Sequence, residues 1–401
     1  MGKLDIFNEP SFNNAIVKEE YHTYYPITNN FGNNDEIKFV IQNQDIYTTP
    51  SDSYLYVEGV VNSTADGFKF TNNPLAFLLD EVRYALNGVE IDRVRDVGIT
   101  STLKGLVSFD TNRSNRLSVA GWGPLKNEQS IYSPTKKQFY CCMPLNMLLG
   151  FAEDYKQIIV NARQELTLLR SRTDLNSYKI DKGESSDTVI TLTKFEWKVP
   201  HVLVNDEVRL SFLQQLNMDR PLTLAYRRWE LHELPALKNN VRDIWSIKSS
   251  PNLERPRYVI VAFQRNRKNN VLVNSSLFDH LNIRNIKVHL NSDQIPYDNL
   301  NLNIENGNYV MLYNMFANFP KSYYGSDVGY PELDYTQFLK HMMFVFDCSK
   351  QNEVVKLSTV DLKIEVEAHT NLNQDASAYC LILYESVVTY TPLSNIVKRL
   401  Q

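Results

Sequence analysis

The 401-residue chain contains few cysteines, and their positions exclude the common cysteine-based sites. Cys141 and Cys142 are adjacent, whereas Cys348 and Cys380 lie far along the chain, so the sequence contains no Cys-x-x-Cys pair. The seven histidines are scattered, and none pairs at the i, i+4 spacing of a helical metal site. The sequence therefore predicts neither a disulfide framework nor a metal site, and we expect the cysteines to remain reduced.

Long hydrophobic runs and an excess of one charge are also missing. The longest apolar runs, such as residues 258–263, reach about a third of the roughly 20 residues that a membrane helix needs. The 42 basic and 46 acidic side chains give a net charge of −4, so the chain has no overall field that would attract a polyphosphate. The N-terminal residues 1–6 contain neither a signal-peptide core nor a myristoylation signal. We expect no membrane span, no export signal and no general binding of nucleic acid.

Aromatic residues are abundant where glycine is scarce. The chain has 23 Tyr and 19 Phe but only 14 Gly, a balance that favours strands and ordered polar loops. Short β-rich runs, each bounded by Asn, Asp, Pro, Gly or Ser, recur along the whole sequence. We expect strands at 37–42, 54–61, 82–86, 158–169, 188–197, 222–231, 243–248, 257–264, 285–290, 343–348, 361–367 and 378–390. Helical spacing is confined to 100–109, 207–216, 309–319 and 335–341, which predicts an all-β protein with short crossover helices.

The two halves of the chain repeat one another. Residues 86–91 (LNGVEI) match residues 290–295 (LNSDQI) at an offset of 204 residues, and a short helical pattern follows each of them, ending at Phe109 and Phe319. Each half also closes with a strand that ends in proline, at Pro200 and Pro392. These matches predict a duplication in which each half has about eight strands, the size of a jelly roll. We expect an N-terminal arm at 1–30, one jelly roll at 31–202, and a second at 203–401 with a short C-terminal tail.

Seven short segments carry a resemblance to a known family. They are 21–26 (YHTYYP), 45–50 (DIYTTP), 54–59 (YLYVEG), 278–280 (FDH), 322–325 (SYYG), 347–353 (DCSKQNE) and 378–382 (AYCLI). Together they resemble the double jelly-roll major capsid proteins of Polinton-like or adintovirus-like double-stranded DNA viruses and integrated elements. The resemblance covers nearly the whole chain, but its segments are not catalytic motifs.

The resemblance implies a structural protein of the virion rather than an enzyme, with no cofactor and no catalytic residues. It implies that three copies form a homotrimer with a nearly hexagonal outline, a pseudo-hexameric capsomer, and that capsomers tile an icosahedral shell around double-stranded DNA. Its partners would be further copies of itself and a penton or minor capsid protein, without sequence-specific contacts to nucleic acid. An internal membrane, viral or host-retained origin, and nuclear or cytoplasmic assembly stay open.

Two groups of residues are candidates for contacts in such an assembly. Tyr21, Tyr24 and Tyr25 are candidate apolar anchors of the N-terminal arm, whose net charge of −2 does not suit a DNA-binding tail. A disordered leader is the alternative for this segment. The second group is a candidate basic patch in the stretch 255–268, which would face nucleic acid or acids of a neighbouring subunit; its members are Arg257, Arg265, Arg267 and Lys268. A plain strand with charged loop ends is the alternative for this stretch.

A different class of function also fits two sandwiches in one chain. An intracellular glycan-binding protein or hydrolase is the main alternative, and acidic residues that converge in one cleft between the halves would favour it. The candidate acids form clusters in loop-like sequence, at Glu19–Glu20, Asp35–Glu36, Asp45 and Asp52. Cys348 follows a buried-strand pattern and lies near His341 in sequence, but we interpret it as a core thiol rather than a nucleophile.

Overall fold

A computed structural model describes residues 15–42, 47–126, 131–247, 256–291, 293–325, 330–350 and 361–400 of the chain. Asp45, named above, lies outside these ranges, as do the first residue of the stretch 255–268 and residues 1–14 of the expected arm. The described part is built from antiparallel sheets with a few short helices between them. Of its helices, none has the length and apolar character needed to cross a membrane.

The first half contains thirteen of the described strands. They are β1 (Ile16–Tyr24), β2 (Glu36–Ile41), β3 (Tyr47–Thr48), β4 (Tyr54–Ser63), β5 (Lys69–Phe70), β6 (Leu79–Leu86), β7 (Val89–Arg95), β8 (Tyr132–Ser133), β9 (Gln138–Pro144), β10 (Ile159–Val160), β11 (Gln164–Arg170), β12 (Tyr178–Lys179) and β13 (Thr188–Val204). Its helices are α1 (Pro74–Phe77), α2 (Val97–Ser108), α3 (Thr111–Arg116) and α4 (Gly150–Asp154). Short 3-10 helices lie at Pro50–Asp52, Leu117–Ala120, Leu145–Met147 and Ser185–Asp187.

The second half follows the linker helix α5. Its elements are α5 (Asp206–Asn217), β14 (Leu222–Leu234), β15 (Arg242–Ile247), β16 (Pro256–Arg265), β17 (Ile283–Leu290), β18 (Asp293–Ile295), α6 (Val310–Tyr324), a 3-10 helix (Gln337–Lys340), β19 (Met343–Asp347), β20 (Leu362–Ala368), β21 (Ala376–Thr391) and β22 (Ile396–Leu400). The halves therefore meet where β13 ends and α5 begins. Asn205 caps α5 by accepting a hydrogen bond from the backbone amide of Val208 at 2.8 Å.

Each half is a sandwich of two antiparallel sheets with the same connectivity. In the first, β1-β13-β4-β9 faces β2-β11-β6-β7, with β3, β8 and β10 extending the first sheet. In the second, β14-β21-β16-β19 faces β15-β20-β17-β18, with β22 added to β21. When the eight strands that form the two facing four-stranded sheets of each half are numbered along the chain, the sheet orders in both halves are 1-8-3-6 and 2-7-4-5, which is the jelly-roll order. The prediction of two tandem jelly rolls is confirmed.

Alternating side chains explain why each pair of sheets packs together. Along β2 and β4 every second residue is buried, and Trp197 of β13 is fully buried between the sheets. Its indole meets the rings of Phe39 and Tyr84, with ring centroids 6.3 Å and 6.4 Å away. The matched hairpins found in the sequence are β6-β7 and β17-β18, which turn at Asn87 and Asn291 in the left-handed region. The matching segments 86–91 and 290–295 therefore form equivalent turns in the two halves.

Three expectations need correction. Residues 16–24 of the expected arm form β1, whose Tyr24 pairs with Trp197, so this segment is the first strand of the first jelly roll. The single strand expected at 158–169 is two strands, because Asn161 adopts a positive φ of 52° between β10 and β11. The helix expected at 335–341 is a 3-10 turn at Gln337–Lys340.

Candidate assembly surfaces and the junction between the jelly rolls

A buried ion pair of the first jelly roll lies at the contact between the two jelly rolls. Lys104 lies on α2 and Glu153 on α4, and both side chains are almost fully buried and in direct contact. Tyr323 and Tyr324, on the equivalent helix α6 of the second jelly roll, donate their hydroxyls to this carboxylate at 2.8 Å and 2.9 Å. The second jelly roll thus supplies two hydrogen bonds to a charge pair of the first, which is what a buried ion pair requires.

The protonation of this pair is set by burial and by the neighbouring cations. Burial alone would raise the pKa of Glu153, but Lys104 and Arg113 outweigh it and lower the pKa to about 2. Burial lowers the pKa of Lys104 to about 8, against the opposite influence of Glu153. Both groups are therefore charged at neutral pH, and each is stabilised by the other.

Another ion pair does cross from one jelly roll to the other. Arg227 of β14 binds Asp154 of α4 through two parallel hydrogen bonds, at 2.8 Å from Nε and 2.6 Å from Nη2. Its guanidinium also lies 3.5 Å from the ring centroid of Tyr323. The backbone comes close here, because a Cβ on Gly150 would stand 1.8 Å from the carbonyl oxygen of Arg227. Glycine at 150 therefore permits the contact between α4 and β14.

A buried acid of the second jelly roll also accepts hydrogen bonds from the first. Glu332 accepts hydrogen bonds from Trp122 Nε1 at 3.0 Å and from the hydroxyl of Ser114, both in the first jelly roll. Burial raises the pKa of Glu332 to about 7. Farther along, Tyr390 of β21 donates its hydroxyl to the carbonyl of Asn161 at 2.7 Å. Together these hydrogen bonds and the Arg227–Asp154 ion pair connect the two jelly rolls.

This junction cannot be predicted from the sequence, because its residues come from distant segments and form no motif. One signal was available. Lys104 is the only charged residue within α2, whose other positions are apolar or small. A lone charge in such a helix is buried only with a partner, so it points to an ion pair without saying where the partner lies.

The three arm tyrosines have different surroundings. Tyr24 packs against Trp197, and its hydroxyl is 2.8 Å from His201 Nε2. Tyr21 contacts the ring of Tyr54 with centroids 5.3 Å apart, but 53% of its surface is exposed. Tyr25 is 67% exposed. Tyr24 therefore anchors β1 within the chain, and the structure leaves Tyr21 and Tyr25 on the surface.

The strand β1 carries exposed apolar residues at the edge of its sheet. Residues 16–22 are exposed on both faces of the strand, including Ile16 and Val17. On the adjacent strand, Leu203 is exposed as well. Among the described strands β1 pairs only with β13, so its outer backbone edge is open. An open edge with apolar side chains is a surface that natural proteins usually cover.

The linker helix α5 also shows apolar side chains. None of its residues is buried, and Leu210 and Leu213 are exposed, as is Met218 directly after the helix. Phe212 makes an edge contact with the ring of Tyr47, which fixes the helix against the first jelly roll. The helix begins next to the end of β13, the strand that pairs with β1. We name β1 and α5 together the linker-side surface.

The structure does not present the candidate basic patch as an unpaired positive surface. Each of its four residues contacts a carboxylate of the same chain: Arg257 with Glu385 at 2.7 Å, Arg265 with Asp375 at 3.0 Å, Arg267 with Asp279 at 2.5 Å, and Lys268 with Glu233 at 2.7 Å. The arrangement is that of a strand, β16, with charged and compensated ends. Whether the patch meets a neighbouring subunit stays a prediction.

Cys348, which was weighed as a nucleophile, is a free thiol buried in the structure. Burial raises the pKa of the Cys348 thiol to about 12, so it is protonated at neutral pH. Asp80 and Asp96, which are not among the acids named in the sequence analysis, line a cleft between the jelly rolls. The volume of this cleft is about 70 Å³. A sugar site needs several hundred Å³. Within the described ranges no three His, Cys, Asp or Glu side chains are grouped as metal ligands would be.

Comparison with known proteins places the fold. Residues 68–388 match the family model of the double jelly roll-like domain. No curated protein sequence matches the chain significantly. Among solved structures, a chain of the Sputnik virophage is similar over 100% of this chain and 92% of its own length, with 9% identity and a TM-score of 0.64. A chain of the PBCV-1 virus capsid is similar over 98% of this chain and 99% of its own length, with 10% identity and a TM-score of 0.60. The mavirus major capsid protein is similar over 100% of this chain and 93% of its own length, with 10% identity and a TM-score of 0.59.

Proposed function

Because the chain belongs to the double jelly roll-like domain family, we propose that it is the major capsid subunit of a virus or of a virus-derived element. The observation that carries the proposal is the pair of jelly rolls with identical connectivity, held as one unit by a buried junction. The whole-length similarity to the chains from Sputnik, PBCV-1 and mavirus supports it. Its place is the virion, and its role is structural rather than enzymatic.

The proposed assembly follows from the duplication. Three copies around a three-fold axis bring together six similar sandwiches, so a trimer gains a nearly hexagonal outline. Such a capsomer can tile a shell through repeated contacts between its edges. We propose that the shell is icosahedral and encloses double-stranded DNA. A penton or minor capsid protein would occupy positions that a six-sided unit cannot fill.

The linker-side surface is the proposed contact between subunits. Its apolar residues, such as Ile16, Val17, Leu210 and Leu213, are exposed in the described part of the chain. Obligate contacts within a trimer are expected to be large and apolar. Tyr21 and Tyr25 lie exposed at and just beyond β1, where they can anchor a neighbour.

The family resemblance of the sequence points to Polinton-like or adintovirus-like elements, and we propose this lineage. The ion-paired state of the candidate basic patch suits contacts to neighbouring protein better than contacts to DNA, so we propose that another protein compacts the genome. No residue of the chain is assigned a catalytic, cofactor-binding or sequence-reading role.

Electron microscopy of the expressed protein tests the proposal. We expect closed shells or sheets of six-sided capsomers in preparations of the full chain. Particles that remain single, unassembled subunits at concentrations where related shells form would argue against a capsid role. Hydrolysis of a glycan by the purified chain would favour the alternative class.

A further inference from the structure

Two histidines lie face to face at the edge of the first jelly roll. His22 is on β1 and His201 is on β13, and their imidazole rings are stacked with centroids 3.8 Å apart and an angle of 8° between the ring planes. In the register of the two strands, His22 lies opposite Val199 and Glu20 lies opposite His201, so both histidines are on the same face of the sheet. A pair of titratable groups therefore forms part of the contact between β1 and the rest of its sheet.

The attachment of β1 depends on the protonation of His201 in a second way. The hydroxyl of Tyr24, also on β1, lies 2.8 Å from Nε2 of His201. This nitrogen can accept a hydrogen bond from the hydroxyl only while it carries no proton. Among the described strands β1 pairs only with β13, so the strand is held from one side. Protonation of His201 thus affects both the ring stack and a hydrogen bond of an edge strand.

The charged groups on β1 and β13 are already engaged with one another. The carboxylate of Glu20 lies 3.2 Å from Nε2 of His22 and 2.6 Å from Nζ of Lys18, so one negative charge contacts two basic groups. On β13, Lys198 and Glu196 lie on the opposite face of the strand and contact each other at 2.8 Å. Glu20 therefore compensates Lys18 as well as His22, and it does so at the surface.

The elements packed beside the histidine pair add Tyr47 of β3 and Arg209 of α5, which line the same cleft. Burial, together with the charge of His22, lowers the pKa of His201 to about 4, against the opposite influence of Glu20. The ordinary value for a histidine is 6.5, so the folded strand pair binds this proton less tightly than a released strand would. The contribution of His201 to strand pairing is therefore present above pH 6.5 and is lost as the pH falls towards 4.

Two positive rings at this separation repel each other even with the screening of a protein surface. We propose that His22 and His201 form an acid-sensitive contact: when both rings are protonated they repel each other, and β1 separates from β13. Because β1 is part of the linker-side surface, its release would also weaken the proposed contact between subunits. That consequence rests on the proposed function, whereas release of the strand is a property of the single chain.

Hydrogen exchange of the full chain at pH 7 and pH 5 tests the proposal, with each rate divided by the intrinsic rate of the peptide at that pH. The pKa of His201 of about 4 in the paired state, against 6.5, predicts that the open fraction of residues 16–24 rises about 20-fold between pH 7 and pH 5. Residues 256–265 form β16, an interior strand without histidine, and serve as the internal reference. Their open fraction should change less than about three-fold.

Histidine variants assign the effect to the pair. H201Q keeps an acceptor for the Tyr24 hydroxyl but does not titrate, so the rise at residues 16–24 should fall below about three-fold. H22Q changes an exposed residue and leaves His201 to titrate without its charged neighbour, so its rise should lie between those of H201Q and the unmodified chain. The matched control is H289Q, which removes a strand histidine beside Glu365 in the second jelly roll and should leave the rise unchanged.

Four results would overturn the proposal. The first is an open fraction of residues 16–24 that is the same at pH 7 and pH 5. The second is an equal rise in H201Q and the unmodified chain, which would mean that other groups release the strand. The third is an equal rise in H22Q and the unmodified chain, which would remove the repulsion between the rings. The fourth is a rise of the same size in residues 256–265, which would mean that the whole chain opens. None of these outcomes depends on whether shells form.

Discussion

The hydroxyl of Tyr323, in the second jelly roll, donates a 2.8 Å hydrogen bond to the carboxylate of Glu153, in the first. That carboxylate already pairs with Lys104, so one group of the first sandwich is completed by the second. The equivalent helices α2 and α6 of the duplicated units thus meet at a charge that neither unit satisfies alone. Two hydroxyls of the second jelly roll therefore bind a carboxylate of the first.

The first prediction concerns the buried ion pair. Replacement of Lys104 by Met leaves Glu153 buried without its main cation, and should cost about 3 to 5 kcal/mol of unfolding free energy. Urea denaturation followed by tryptophan fluorescence measures this loss. The control is K104M/E153Q, which removes both charges and keeps an acceptor for Tyr323. We expect the double variant to be more stable than K104M, and a double variant that is less stable would contradict the role of the pair.

The second prediction is a pH dependence at the junction. Burial raises the pKa of Glu332 from 4.5 to about 7, so the folded state binds this proton more tightly than the unfolded state. Its contribution is fully present below pH 4.5 and is lost as the pH rises through about 7. The variant E332Q cannot ionise, so its stability relative to the unmodified chain should rise by about 2 to 3 kcal/mol across this window.

The comparison with E332Q separates the pH dependence due to Glu332 from that of other groups, whose contribution to stability changes with pH in the opposite direction. Burial lowers the pKa of His341 to about 4, so its contribution is lost as the pH falls from 6.5 towards 4. Denaturation of both proteins at several pH values cancels this shared effect. A difference that stays constant with pH would show that Glu332 ionises normally in the folded chain.

The third prediction separates the N-terminal segment into two parts. Deletion of residues 1–25 removes β1 and the packing of Tyr24 on Trp197, and should lower the unfolding free energy by about 2 to 4 kcal/mol. Deletion of residues 1–14 leaves β1 intact and should change it by less than about 0.5 kcal/mol. Thermal and urea unfolding of the two truncated chains measures the difference. Equal stability of both would mean that β1 is not an integral strand.

The fourth prediction concerns α5. The variant L210E/L213E places charges on exposed apolar positions, so the isolated chain should keep its melting temperature while self-association falls at least about ten-fold. Sedimentation velocity measures the association. The matched control is V119E/L272E, which adds the same charge at exposed apolar positions of the two jelly rolls away from α5. Equal effects of both variants would remove α5 from the proposed contact.

The fold could be predicted from the sequence because local patterns of residues encode the strands and turns of a jelly roll. The repeated hairpin around Asn87 and Asn291 encodes a turn, and alternating burial along strands such as β4 encodes two faces. The residue order therefore predicts two sandwiches. Local patterns did not predict β1, because its residues 16–22 are exposed on both faces and the strand has no alternation of buried and exposed residues.

The functional surfaces were less accessible to sequence reasoning. Arg257, Arg265, Arg267 and Lys268 look like a basic cluster in the sequence, but their acidic partners come from other strands and loops, up to 128 residues away. Charge compensation of this kind is a tertiary property, which the order of residues along the chain does not show.

The most direct test of the central claim is the mass and symmetry of the purified chain, measured together by light scattering and by electron-microscopic class averages. We predict a particle of about 140 kDa, three times the 46.5 kDa chain, with three-fold symmetry and six similar lobes. A particle that stays at 46.5 kDa at micromolar concentration, or an assembly without six lobes, would contradict it.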